Sequence, residues 1–276
     1  MPNTGRLISH KMQREEKTMA TALITGASTG LGADFARILA AMKYDLILVA
    51  RNQDRLEELG KSLMANHGIS YQTVKCDLGQ PGAAVTLCQT IKAQGRSIDI
   101  LINNAGCGQW GPFATSDAKG LSTMITLNMN ALTEITHLCL PDMLARKSGR
   151  ILNVASTAAF QPGPWMAAYY ASKSYVLSLG EALAVELRGT GVSISTLCPG
   201  PTKTEFFERA QMGRSRLKNM FFADSHACAQ RGITGMMRGQ TIIIDGWLNW
   251  LLAQSGRIMP RFAVRTVAGM INGSAG

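Results

Sequence analysis

Short apolar runs alternate with longer segments of helical spacing along almost the whole chain, and this alternation restricts the fold more than any other feature. The strand-like runs lie at 21–25, 45–50, 70–75, 98–103, 150–155, 192–197 and 241–244. Patterns of helical period separate them, at about 31–42, 53–66, 81–94, 118–146, 168–188 and 224–238. Repeated strand–helix units point to a parallel sheet, because parallel neighbours need a crossover long enough to hold a helix. The run Leu46-Ile47-Leu48-Val49 is apolar at every position, as a strand covered on both faces should be. No repeat or linker divides the 276 residues. The expected architecture is therefore one doubly wound α/β domain at 19–245. It has a seven-stranded, mainly parallel sheet with helices on both faces.

The first strand runs into Thr25-Gly26-Ala27-Ser28-Thr29-Gly30-Leu31-Gly32, which opens the first helix. Glycines allow a tight turn and close approach of a ligand, and a helix N-terminus offers free N–H groups to an anion. A glycine-rich turn in strand–turn–helix context is the Rossmann-type site for a dinucleotide pyrophosphate. The second strand closes with Val49-Ala50-Arg51. A carboxylate at that point would bind an adenosine ribose and repel a 2′-phosphate. A guanidinium would pair with the phosphate instead, so the expected cofactor is NADP(H).

Tyr169 and Lys173 stand four residues apart in a helical pattern, hence on one face. A phenol titrates near pH ~10, and a neighbouring ammonium favours the phenolate. Such a pair suits proton transfer at an alcohol or carbonyl oxygen. Ser156 follows the fifth strand-like run, thirteen residues before Tyr169. Its hydroxyl would either hold the substrate oxygen or cap the strand end. Tyr170 has no lysine four residues on and is expected to pack. Trp110, Phe113, Phe160 and Trp165 flank these positions and are expected to line an apolar pocket.

Taken together in chain order, these residues resemble the short-chain dehydrogenase/reductase family. The matching positions are the glycine turn, Asp77-Leu78, Asn103-Asn104-Ala105-Gly106, Asn128, Ser156, Tyr169 with Lys173, and Pro199-Gly200 followed by Thr202 and Thr204. The resemblance runs from residue 20 to about 205. It implies that Tyr169 is the acid/base, and that Lys173 tunes it and binds the nicotinamide ribose. It implies further that Ser156 orients the carbonyl and that Asn128 holds a water of a proton relay. By the same resemblance Asp77 meets the adenine, Asn103 the adenosine side and Thr202 the carboxamide. Ala105 and Gly106 then line the cofactor channel. The implied activity is NADP(H)-dependent hydride transfer on a small, hydrophobic carbonyl or alcohol. A non-catalytic NADP(H) sensor or scaffold is the alternative, and it has no need of Tyr169 and Lys173. The family habit implies a homodimer or homotetramer, joined through the helices at 118–146 and 168–188.

Six cysteines form no C-x-x-C pair and have no histidine at zinc-ligand spacing. Free thiols in a reducing, cytoplasmic setting are expected, with no metal. The net charge is +10, of which residues 203–276 supply +6. No nucleic-acid motif accompanies it. Residues 1–18 are polar and aperiodic and are expected to be a disordered extension. Residues 202–222 read as a mobile loop over the site. Residues 246–276 are basic and amphipathic, with Arg257, Arg261 and Arg265 spaced by four. They are expected to pack on the domain or its assembly, with peripheral contact at an anionic membrane as the competing reading.

Overall fold

The computed structural model describes residues 19–206, 210 and 223–273. The expected extension at 1–18 and most of the expected loop at 202–222 lie outside the described residues. The strands are β1 (Thr21–Thr25), β2 (Asp45–Ala50), β3 (Tyr71–Lys75), β4 (Ile100–Asn103), β5 (Gly149–Val154), β6 (Val192–Cys198) and β7 (Ile242–Ile244). They form one sheet in the order β3-β2-β1-β4-β5-β6-β7. Every neighbouring pair is parallel, so the sheet is wholly rather than mainly parallel.

The two-residue period of the strands assigns each side chain to a face. Ala22 pairs with Leu46 and Ile100, and Ile24 with Leu48 and Ile102, all toward one layer. There they meet Phe35 and Leu39 of α1 (Gly30–Ala41) and Ile233 and Met236 of α7 (Ser225–Met237). Leu23 pairs with Ile47 and Leu101, and Ile151 with Leu101 and Ile194, toward the other layer. These meet Leu87 and Ile91 of α3 (Ala83–Ala93) and Ile135 and Met143 of α5 (Leu132–Ala145). Each fully buried side chain of this size contributes about 1.5–3 kcal/mol. A one-residue slip of register would turn every inward residue to the opposite layer.

The helix expected over 118–146 is interrupted. It consists of α4 (Ala118–Ile125), a π-helical turn at Thr126–Ala131, and α5. The π turn carries Asn128, and such turns inside α-helices are frequent at functional sites. The remaining helices are α2 (Gln53–His67), α6 (Ala167–Glu186), α8 (Trp247–Ile258) and α9 (Arg261–Asn272). Met259 and Pro260 separate α8 from α9, so Arg257 shares no helix with Arg261 and Arg265. Among the described residues no helix is long and apolar enough to cross a membrane.

The strand order fixes where a ligand can enter. β1 stands between β2 and β4, so the chain reverses its direction across the sheet there. At such a switch point the connections leave on opposite sides and open a crevice at the carboxyl ends of the strands.

Candidate active site

The glycine turn lies in this crevice, at the end of β1. Thr25 holds it to β4: its Oγ1 accepts from the N–H groups of Asn104 and Ala105, each at 3.0 Å. The Asn104 amide nitrogen donates to the carbonyls of Thr25 and Gly26, at 3.0 and 3.2 Å. Gly26 has a φ of +68°, and a Cβ there would meet Asn104 Nδ2 at 2.8 Å and the Ala105 backbone at 2.9 Å. A Cβ on Gly32 would fall inside contact distance of the Gly26 carbonyl. The turn therefore admits no side chain at either position.

The N-terminus of α1 stays open. Its cap, Thr29, makes no side-chain capping bond, and no acidic residue stands in the first turn. The unpaired N–H groups of that turn face the crevice with a partial positive charge. A groove of about 900 Å³ opens beside it, lined by Ser28, Thr29 and Gly30 and by charges of both signs, with Arg37 paired to Asp34 and Arg55 to Glu205. Arg51 is exposed at the end of β2 and makes no ion pair among the described residues.

Across the sheet, β5 and α6 bring the catalytic candidates together. Tyr169 and Lys173 are both buried on the first two turns of α6. Lys173 Nζ donates to the Val154 carbonyl at 2.9 Å and stands 5.9 Å from the Tyr169 ring centroid. Asn128 is buried, and its amide is clamped on both sides. Its Oδ1 accepts from Cys107 N–H at 3.0 Å, while Nδ2 donates to the Cys107 carbonyl at 2.9 Å and to Ser172 Oγ at 3.0 Å. Ser172 Oγ in turn donates to the Tyr169 carbonyl at 2.7 Å. Gly106 sits at the centre: a Cβ there would lie 3.2 Å from Asn128 Oδ1 and 3.4 Å from Lys173 Nζ. Ser156 does cap the segment after β5, accepting from Ala158 N–H at 3.1 Å. Its hydroxyl also interacts with the Tyr169 phenol and reaches the Pro199 carbonyl at 3.5 Å.

Burial governs the titration of the pair. It pulls Lys173 down to about 8, against the opposing influence of the Cys107 and Cys198 thiols. It pushes the Tyr169 phenol up, and the Ser156 hydrogen bond only partly offsets this. The phenol is shifted opposite to the direction expected from a neighbouring ammonium, because both groups have left water. The folded value of Lys173 lies below its ordinary 10.5, so the unfolded chain binds more protons between about 8 and 10.5. Stability from this group therefore rises with pH across that window. Replacing Lys173 by Met should raise the melting temperature of the cofactor-free protein most below pH 8, with the gain shrinking toward pH 10.5. A difference independent of pH would contradict this assignment.

Other expected positions fall as follows. Asp77 closes its own turn, accepting from Gly79 N–H and Gln80 Nε2, each at 3.1 Å, with Leu78 buried beside it. The Asn103 side chain is buried and donates to Thr136 Oγ1 and Asn153 Oδ1, at 2.8 and 2.9 Å. It braces β4 against α5 and β5, and its neighbour Asn104 holds the glycine turn. The Pro199 carbonyl accepts from Thr157 N–H at 2.8 Å, and Gly200 packs against Asn249. Thr202 forms an isolated bridge with Ala223. Thr204 lies over the turn, its Cγ2 3.0 Å from where a Gly30 Cβ would stand.

The aromatic residues divide. Trp110 and Trp165 stack at 6.3 Å, whereas Phe160 belongs to a separate cluster with α8 beside it and Phe113 is exposed. Phe206, from the start of the expected loop, meets the Tyr169 ring at 5.3 Å. Tyr170 packs, as its lack of a lysine partner suggested: its hydroxyl donates to Asn272 Oδ1 at 3.0 Å. Trp110 Nε1 donates to the Asn272 carbonyl at 2.7 Å, so the end of α9 is tied to the site's wall.

Comparison with known proteins agrees with this geometry. A ketoacyl reductase of Nostoc sp., HetN, is 37% identical over 183 residues, covering 66% of this chain and 63% of that protein. A very-long-chain 3-oxoacyl-CoA reductase of Phaeosphaeria nodorum is 37% identical over 177 residues, 63% of this chain and 52% of that protein. The chain thus spans between half and two thirds of the length of these two curated relatives. The solved structure of a short-chain dehydrogenase from Sphingobium yanoikuyae in complex with NADPH superposes with a TM-score of 0.78 at 31% identity, covering 87% of this chain and 94% of that one. The family model of the short chain dehydrogenases matches residues 20–214. That span takes in every position from the glycine turn to Thr204, and the chain accordingly belongs to the short-chain dehydrogenase family.

Proposed function

We propose that the protein is an NADP(H)-dependent oxidoreductase that moves a hydride between the nicotinamide and a carbonyl or alcohol of a small hydrophobic substrate. The observation that carries this reading is the convergence of Tyr169, Lys173, Ser156 and Asn128 on one side of a crevice whose other side is the open glycine turn. The residues fit a dinucleotide. Gly26 and Gly32 leave room where a Cβ would collide, a Cβ on Gly106 would crowd Asn128 and Lys173, and the α1 N-terminus lacks both cap and acid. Ser28, Thr29, Gly30, Leu31 and Gly32 would hold the pyrophosphate, and Arg51 the 2′-phosphate. Asp77, Leu78, Ala105 and Gly106 would flank the adenosine half. Pro199, Gly200, Thr202 and Thr204 would flank the nicotinamide half.

When bound, the nicotinamide supplies the hydride. The protein's own residues manage the proton. Tyr169 donates its phenolic proton to the oxygen that becomes an alkoxide, and Ser156 Oγ holds that oxygen beside it. A neutral phenol is the form reduction requires, and burial keeps it neutral. Lys173 retains N–H donors beyond the one given to Val154 for a ribose hydroxyl. Asn128 acts through position: clamped to Cys107 and Ser172, it fixes α4–α5 against α6 behind the reacting pair. The names of the two 37%-identical relatives favour a 3-ketoacyl or similar apolar ketone as substrate. The assembly would be a homodimer or homotetramer through α5 and α6, on which Leu138, Leu144 and Val185 are exposed.

Arg51→Ala tests the cofactor assignment. It should weaken NADP(H) by about 1–3 kcal/mol, the worth of a charge-assisted hydrogen bond, and leave NAD(H) affinity unchanged. Titration of both cofactors by fluorescence would measure it. Equal loss for both, or none for either, removes Arg51 from the 2′-phosphate site.

A further inference from the structure

The two C-terminal helices present the wrong face to water for a protein that stays free in solution. On α8 the inward stripe is Asn249, Ala253 and Gly256. Asn249 Nδ2 donates to the Asp245 carbonyl at 2.6 Å and packs on Gly200, Ala253 is buried, and Gly256 backs on the Phe160 carbonyl. The outward side is Trp247, Leu248, Trp250, Leu251 and Leu252, each at least half exposed, with Trp247 at 78%. Small and polar residues face the domain and large apolar ones face out, the reverse of an ordinary surface helix. On α9, Val264, Ala268 and Asn272 turn inward. Phe262, Val267, Met270 and Ile271 turn outward, with Phe262 and Met270 both 62% exposed. Exposed apolar side chains of this size on two successive helices mark an interaction site.

Charge selects the occupant. Residues 246–276 contain three arginines and no aspartate or glutamate. Arg261 and Arg265 are exposed on the helix that carries Phe262 and Met270. A second copy of the chain meeting this face about a twofold axis would set arginine against arginine with no carboxylate of the segment to pair them. An anionic bilayer answers both features. Tryptophan side chains settle at the lipid–water boundary, leucine and phenylalanine below it, and arginines reach the headgroups. Neither helix is long enough to cross, so this is a surface that lies on the membrane.

We infer that α8 and α9 form a monotopic docking surface for an anionic lipid bilayer. The surface belongs to neither the glycine turn nor the Tyr169 side of the crevice, so it stands or falls apart from hydride transfer. The test is co-sedimentation of the full-length protein with phosphatidylcholine vesicles and with mixed phosphatidylcholine–phosphatidylglycerol vesicles at low ionic strength. The protein should pellet with the mixed vesicles and remain in the supernatant with phosphatidylcholine alone. High salt should weaken the binding. Trp247→Ser with Trp250→Ser should lower the bound fraction at least about tenfold, and so should Arg261→Gln with Arg265→Gln. All four side chains are exposed, and the melting temperature of each variant checks its folding. NADPH oxidation without vesicles should be the same in all three proteins; its loss throughout would strike the proposed activity and leave the docking surface untouched. The inference is overturned if the wild type ignores phosphatidylglycerol vesicles, or if both variants bind them as well as it does. It is also overturned if the tryptophan variant dissociates an oligomer in sedimentation equilibrium while vesicle binding is unchanged, which would make the face a subunit interface.

Discussion

Replacing Tyr169 by phenylalanine is expected to lower kcat by about a hundred- to ten-thousandfold while NADPH affinity stays within a few-fold. The substitution removes one oxygen and its proton and keeps the ring. The ring is the part that packs, meeting Phe206 at 5.3 Å and Tyr170 at 6.0 Å. The proton is needed only as the substrate oxygen gains charge, so its loss appears in the transition state rather than in binding. Steady-state rates alongside a cofactor titration separate the two effects. A variant with wild-type kcat would dismiss Tyr169 as the acid. A variant that lost rate and cofactor together would make the residue structural.

Gly32→Ala should be as damaging by another route. A single methyl group there falls inside contact distance of the Gly26 carbonyl and 2.6 Å from Asn104 Nδ2. The first neighbour is backbone. The second is the amide that holds the turn to β4 through Thr25 and Gly26. Neither can give way without opening the turn. Overpacking of this kind costs about 3 kcal/mol, the upper end of the usual range. The displaced turn should also bind NADPH at least about tenfold more weakly, because its N–H groups no longer converge. Thermal unfolding with and without NADPH reads both effects. An unchanged melting temperature and an unchanged cofactor affinity would show that the turn is loose and is not the cradle.

What the sequence disclosed and what it concealed follow from the range of the interactions. The strands were legible because nearly all are local apolar runs, Tyr71–Lys75 of β3 being the mixed one. β1 and β2 keep the expected ends, and the others shift by one or two residues, as at β3 and β4, where cross-strand pairing and not side-chain type sets the limit. The Tyr169–Lys173 pair was legible because helical spacing alone places it. The π turn at Thr126–Ala131 was not, since no residue type encodes it. The fate of Asn103 was also hidden: its partners, Thr136 and Asn153, are 33 and 50 residues away in the chain. The bond from Tyr170 to Asn272 spans 102 residues and exists only once α9 has folded back against the site. Pro260 announced a break in the C-terminal segment but not that two helices would flank it. The titration of Tyr169 was misread because spacing reports the neighbour and not the loss of water around both groups.

Hydride transfer itself is tested most directly with NADPH carrying deuterium at both hydrogens of the nicotinamide C4. The protein would be offered a panel of 3-ketoacyl thioesters, apolar ketones, steroids and quinones. The account predicts NADPH oxidation that depends on a ketone of the panel, one deuterium on the new carbinol carbon of each product molecule, and no transfer by Tyr169→Phe. Tight NADPH binding with no deuterium in any product across the panel would contradict it, and would leave a protein that holds the cofactor without using it.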